Sequence, residues 1–115
     1  MKLGPNQERW LAALESGNYR KGIGKLNKNG RFCCLGVACE LFACTKDETK
    51  LGYTYDGKSD IAPGTVIEAL SLRDSIGSGS ETTPLVSLND KLKLSFEHIA
   101  SKVRSNPEAY FTGPS

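Results

Sequence analysis

The sequence predicts a small α+β domain, three or four helices around one central cysteine-rich helix, with a short antiparallel hairpin or sheet beside it. Three observations carry that expectation. Residues 31–42, Arg-Phe-Cys-Cys-Leu-Gly-Val-Ala-Cys-Glu-Leu-Phe, form the longest apolar run in a mostly polar chain and hold three of the four cysteines. Within this run Cys34, Val37, Ala38 and Leu41 fall at i, i+3, i+4 and i+7, with Leu35, Cys39 and Phe42 on an adjoining stripe. That spacing predicts a helix over residues 34–43, buried over more than half its circumference. Just before it, Asn27-Lys28-Asn29-Gly30 supplies residues that tolerate the positive φ angles of a tight hairpin turn. Near the other end, Phe96, Ile99, Ala100 and Val103 repeat the helical stripe behind Ser95, a good N-cap.

The remaining elements follow in chain order. A first helix is predicted over residues 6–16, with Asn6 as N-cap, Glu8 in the positive first turn, Trp10, Ala13 and Leu14 on the apolar face, and Gly17-Asn18 as the stop. Residues 19–26 and 31–33 are the two arms of a twisted, basic hairpin that feeds directly into the core helix. After a polar stretch, the alternating aromatics of Gly52-Tyr53-Thr54-Tyr55 and the pair Asp56-Gly57 suggest a further strand or hairpin, paired into the same small sheet. Ala62-Pro63-Gly64 opens a helix carrying Val66, Ile67 and Leu70, with Pro63 at its first position. Residues 73–84, rich in Ser, Gly and Thr, are expected to be the most mobile surface loop. Residues 85–88 form one or two helical turns or a strand. Asn106-Pro107 ends the last helix, Tyr110 and Phe111 fold back on the core, and residues 112–115 fray.

A length of 115 residues suits one domain over 1–115, large enough to hold a core without metal or disulfide staples. With 38% hydrophobic and 24% charged residues, the composition excludes disorder as the ground state. No apolar run approaches the ~20 residues of a membrane helix, and the first residues do not read as a signal peptide. A cytoplasmic location with no membrane partner is therefore expected, with reduced thiols that pack as small apolar groups. The formal charge of +2 gives little reason by itself to propose nucleic acid. Its distribution is more telling. Between Glu15 and Glu40 stand five basic residues, Arg20, Lys21, Lys25, Lys28 and Arg31, and no acidic one, whereas the rest of the chain is net negative.

The basic hairpin is thus the candidate functional feature. Lys21, Lys25 and Arg31 can gather an anion, Gly22 and Gly24 let backbone N–H groups approach it, and the core helix's N-terminus near Cys33 and Cys34 adds unpaired donors. A phosphate suits that arrangement, so Arg20, Lys21, Gly22, Gly24, Lys25 and Arg31 are the predicted ligand-binding residues. The plainer alternative is a solvated hairpin whose lysines blunt a sheet edge. Cys34-Leu35-Gly36-Val37 invites comparison with cysteine hydrolases, whose nucleophile opens a helix. The only histidine, His98, lies opposite the apolar stripe of its own helix, however, and should face solvent. No catalytic residue is assigned. The cysteines lack the paired Cys-x-x-Cys knuckles of structural zinc, so no metal and no cofactor are expected. Residues 85–103 are compatible with a helix-turn-helix-like pair, basic through Lys91, Lys93, Lys102 and Arg104, although Glu97 near the front of the reading helix would repel phosphate.

Four stretches together resemble a group of small, uncharacterised bacteriophage and prophage proteins. They are Trp10-Leu11-Ala12-Ala13-Leu14; Gly22-x-Gly24-x-Leu26; Arg31-Phe32-Cys33-Cys34-Leu35-Gly36-Val37; and Leu88-Asn89-Asp90 followed by Ser95-Phe96-x-x-Ile99-Ala100. Lys91-Leu92-Lys93-Leu94 departs from the pattern, standing where a shorter, glycine-containing turn is expected. The resemblance implies a phage-derived protein acting in a bacterial cytoplasm, and it transfers no site residue. The expected function is a non-enzymatic accessory role, binding a host protein or an anionic, phosphate- or nucleotide-like small ligand through the basic hairpin. A nucleic-acid-binding regulator is the alternative.

Overall fold

The computed structural model describes residues 1–115. Six helices and two small sheets alternate along the chain: α1 (Pro5–Glu15), β1 (Arg20–Lys21), β2 (Asn27–Lys28), β3 (Arg31–Phe32), α2 (Cys34–Leu41), β4 (Lys46–Thr49), β5 (Gly52–Tyr55), α3 (Gly64–Leu70), α4 (Leu85–Asp90), α5 (Phe96–Ser105) and α6 (Pro107–Tyr110). The α+β architecture is the one predicted, with α2 at its centre: Cys34, Leu35, Val37 and Ala38 are all completely buried. Gly36 explains how so much of this helix finds cover. A Cβ at Gly36 would overlap the Leu26 carbonyl oxygen, so only glycine lets the helix lie directly on the backbone entering β2.

Helix α1 packs against α2, α3 and α5, and its apolar face is Trp10, Leu11 and Leu14. The Trp10 indole N–H donates to the Cys34 carbonyl at 2.9 Å, which fixes α1 against the first turn of α2. Pro5 opens this helix and Gly4, not Asn6, is its N-cap. Asn6 is one residue inside and donates through Nδ2 to the Ala69 carbonyl. Gln7 is fully buried and serves as a hub. Its Oε1 accepts the Gly4 N–H, and its Nε2 donates to the carbonyls of Leu70 and Gly113.

Strands β4 and β5 form an antiparallel hairpin of their own, separate from the sheet of β1, β2 and β3. The single sheet expected from the sequence is therefore two sheets in contact. They meet at Gly52, where an added Cβ would lie 2.5 Å from the Asn27 carbonyl oxygen. Between them, the Tyr55 hydroxyl donates to Glu40 at 2.6 Å and accepts from Asn27 Nδ2 at 3.1 Å. Lys46 pairs with Glu40 at 2.9 Å and lies over the Tyr53 ring.

The C-terminal half is more firmly stitched than its composition suggests. Pro63 is the N-cap of α3 and precedes the first helical position. Residues 73–84 carry no regular element, yet Arg73 donates to the carbonyls of Glu108 and Ala109, and Asp74 accepts the N–H groups of Ile76 and Ser78. Gly77 is buried against Leu85. The turn between α4 and α5 reverses through Lys93 at φ 52°, the conformation a glycine would adopt freely there. Ser95 caps α5 as predicted, its hydroxyl accepting the His98 N–H. Leu72 bridges Phe111, so Tyr110 and Phe111 do return to the core. Residues 112–115 do not fray: Thr112 N–H donates to the Ser71 carbonyl and Gln7 N–H donates to the Ser115 hydroxyl. No helix is long and apolar enough to cross a membrane.

Candidate anion-binding site

The Asn29-Gly30 turn builds the site. Both residues have positive φ, 54° and 73°, the geometry whose twist matches two flanking strands, so the turn takes only two residues and Lys28 becomes part of β2. In the resulting register Lys28 stands opposite Arg31 and Asn27 opposite Phe32. Strand β1 then joins the free edge of β3 in parallel, placing Arg20 opposite Arg31 and Lys21 opposite Phe32. Cross-strand partners share a face. Arg20, Arg31 and Lys28 therefore form one exposed cationic row across the sheet, while Lys21, Phe32 and Asn27 point to the interior.

None of the three cations in the row is in an ion pair. The ion pairs of the protein are Met1 with Glu108, Lys46 with Glu40, and Arg104 with Glu8 and Glu15, none of them on this sheet. Beside the row, Gly22, Ile23, Lys25, Lys28, Asn29 and Arg31 line an open cleft of about 130 Å³. Gly22 is required where the chain passes β3: its N–H donates to the Phe32 carbonyl at 2.6 Å, and a Cβ would sit 2.8 Å from the Arg31 Cβ.

Three of the predicted ligand-binding residues, and the helix terminus, already make bonds within the protein, the Gly22 N–H being taken by the Phe32 carbonyl. Lys21 Nζ donates to the Asn89 carbonyl at 2.8 Å, and Gly24 N–H donates to Asp90 Oδ1 at 3.1 Å. At the start of α2 the Cys34 N–H donates to Asn89 Oδ1 at 3.1 Å, while Asn89 Nδ2 donates to the Gly22 carbonyl and to Asp90 Oδ1. The place read from the sequence as a cradle for phosphate thus holds the side chains of Asn89 and Asp90. Lys21 and Gly24 thus make structural contacts within the protein. Arg20, Lys25 and Arg31 remain on the open face, joined by Lys28, while Gly22 lines the cleft with both of its backbone groups bonded within the protein. Lys28 was missed because a four-residue turn over 27–30 would have left it in the bend; a two-residue Asn29-Gly30 turn is the signal that places it opposite Arg31.

The thiols do not contribute to the site. Cys33, Cys34 and Cys39 are buried, Cys44 is half-buried, and all four are free. Burial pushes the Cys33 thiol up to about 11 and holds Cys34 well above the usual range. Cys34 Sγ faces the Leu85 carbonyl, whereas His98 lies on the exposed side of α5, so this thiol has no base beside it. No three His, Cys, Asp or Glu side chains converge in a way that would hold a metal ion. In the helix pair α4–α5, Arg104 is taken up by bonds to Glu15 and Glu8, which removes one of its four cations.

Comparison with known proteins adds a family. Residues 5–106 match a family described as a domain of unknown function, DUF8296. The chain belongs to that family. No curated protein and no solved structure matches it. The matched span of the DUF8296 domain runs from the start of α1 to the end of α5. It therefore contains both the cationic sheet and the Asn89-Asp90 insert that braces it, and stops short of α6.

Proposed function

We propose that this protein is a non-enzymatic, phage-encoded accessory protein that binds a phosphate-bearing small ligand on the outer face of its three-stranded sheet. One observation carries the reading: Arg20, Arg31 and Lys28 stand in direct cross-strand register with no acid among them. Like charges opposite one another destabilise a sheet, and an incoming anion reverses the sign of that term. Two of the three are arginines, whose planar guanidinium suits paired contacts to phosphate oxygens. Lys25 stands at the adjoining cleft. That cleft is smaller than the ~300 Å³ from which drug-sized pockets begin, and it has no aromatic residue on which a base would stack. The ligand is accordingly recognised by its phosphates. The phage origin, and with it a bacterial cytoplasm as the place of action, is supported by the four segments that resemble phage and prophage proteins.

The test is thermal stabilisation by inorganic phosphate, pyrophosphate and nucleoside triphosphates, compared in the wild type and an R20E/R31E variant. Pyrophosphate and triphosphates should stabilise the wild type saturably and irrespective of base, by ~2.7 kcal/mol at a hundredfold excess over Kd. The variant should lose this response with an unchanged circular dichroism spectrum. Absence of stabilisation in the wild type, or its survival in the variant, would refute the reading. Binding of a single-stranded oligonucleotide alone, with a steep fall in salt, would replace it with nucleic-acid binding.

A further inference from the structure

A second concavity lies on the outward side of α5, away from the cationic sheet. His98, Ser101, Lys102 and Ser105 recur at i, i+3, i+4 and i+7 on one face of α5, and Thr82, Asn106 and the largely buried Tyr110 complete the lining. The groove encloses about 350 Å³, within the range of small-ligand sites. Tyr110 is buried as a residue, only 3% exposed, but its hydroxyl makes no hydrogen bond within the protein and is open to solvent in the groove, free to donate to and accept from a ligand. The cation is unpaired as well: Arg104 on the same helix holds two carboxylates, whereas Lys102 makes no ion pair, and no acidic residue lines the groove.

From these features we infer that the α5 groove is a binding site for a small hydroxylated anion of the sugar-phosphate or sugar-acid class. The Lys102 ammonium meets the anionic group, and the His98 ring stands one turn away on the same face of α5. Hydroxyls of Tyr110, Ser101 and Thr82 both donate and accept, which matches the hydroxyls of a carbohydrate chain. The Ser105 hydroxyl already donates to the Ser101 carbonyl and is left as an acceptor. The absence of an apolar wall argues against a lipid or an aromatic ligand.

Titration followed by ¹H–¹⁵N correlation spectra tests this, with ribose 5-phosphate and gluconate as probes and ribose and inorganic phosphate as controls. The expected result is saturable shifts of the His98, Ser101, Lys102 and Tyr110 amides with ribose 5-phosphate or gluconate, and weaker responses to either control. Lys102→Ala should weaken binding about tenfold and Tyr110→Phe about threefold. Tyr110→Phe also checks the fold, because its hydroxyl has no internal partner to lose, so its thermal midpoint should match the wild type. No saturable shift at α5 with either probe would overturn the inference, as would equal affinity in Lys102→Ala. Shifts confined to Lys25, Lys28 and Arg31 would likewise overturn it, while leaving the sheet as a phosphate site.

Discussion

Replacing Asn89 with alanine should be among the most damaging single changes outside the apolar core. Asn89 is completely buried, and its side chain accepts the Cys34 N–H at 3.1 Å and donates to the Gly22 carbonyl at 3.0 Å. Alanine strands both backbone groups, the Cys34 N–H fully buried and the Gly22 carbonyl partly so, and a buried group left without a partner costs ~1–3 kcal/mol. Taking the middle of that range for the first and its lower end for the second gives a loss of about 3 kcal/mol. For a domain of this size that lowers the thermal midpoint by roughly 12 °C. Asp90→Ala is the matched control. It removes the bonds to Asp90 Oδ1 from the exposed Gly24 N–H and from Asn89 Nδ2 but leaves the Asn89 bonds to Cys34 and Gly22 in place, and should cost only ~1 kcal/mol. Urea unfolding followed by fluorescence reads both, because the sole tryptophan, Trp10, is buried and hydrogen-bonded to Cys34 itself. A loss below ~1 kcal/mol for Asn89→Ala, or equal losses for the two variants, would refute the view that Asn89 closes the start of α2.

Four further outcomes are expected. Gly36→Ala should destabilise by about 3 kcal/mol or prevent folding, since the new methyl meets the Leu26 backbone and not a movable side chain; chemical denaturation of the purified variant checks it. Arg31→Thr should raise unfolding free energy by ~0.5 kcal/mol by relieving the cationic row while weakening phosphate binding, and a variant that loses both would contradict the cross-strand account. Burial raises the Glu40 carboxyl, but the Tyr55 hydroxyl and Lys46 together outweigh it and hold this group below its ordinary value. A depressed folded pKa means that stability is present above about pH 4.3 and lost as pH falls through the folded value. Tyr55→Phe should therefore flatten the acid limb of a stability–pH profile. Native alkylation followed by mass spectrometry should modify Cys44 first and leave Cys33, Cys34 and Cys39 protected until unfolding.

The parts legible in the sequence are those whose pattern is local. Helices α1, α2 and α5 lie within two residues of the ends that their apolar stripes and caps predict, and the Asn29-Gly30 turn is where its chemistry puts it. Arg20, Lys25 and Arg31 were legible as a charge cluster. What escaped is set by distant partners. Strand β1 is two residues long, with no alternation of its own to show that it would pair in parallel with β3. Lys21 turned inward because β1 alternates faces, which sends it toward the Asn89 carbonyl. Residues 73–84 and 112–115 look unrestrained by composition, yet Arg73 and Gln7 supply anchors that no window of neighbouring residues contains. The groove on α5 was half visible: His98 was placed on the outer face, but nothing local revealed that Tyr110 would help line it.

The Asn89 insert has a consequence for how the chain reaches this state. Cys34 and Asn89 are 55 positions apart, and Gly22 and Asn89 are 67 apart. On a ribosome the three short strands and the central helix emerge well before the residue that braces them, so the nascent sheet carries its row of like charges without its support. The cationic face is therefore completed late in synthesis, and the step that completes it is a long-range closure of the kind that slows folding.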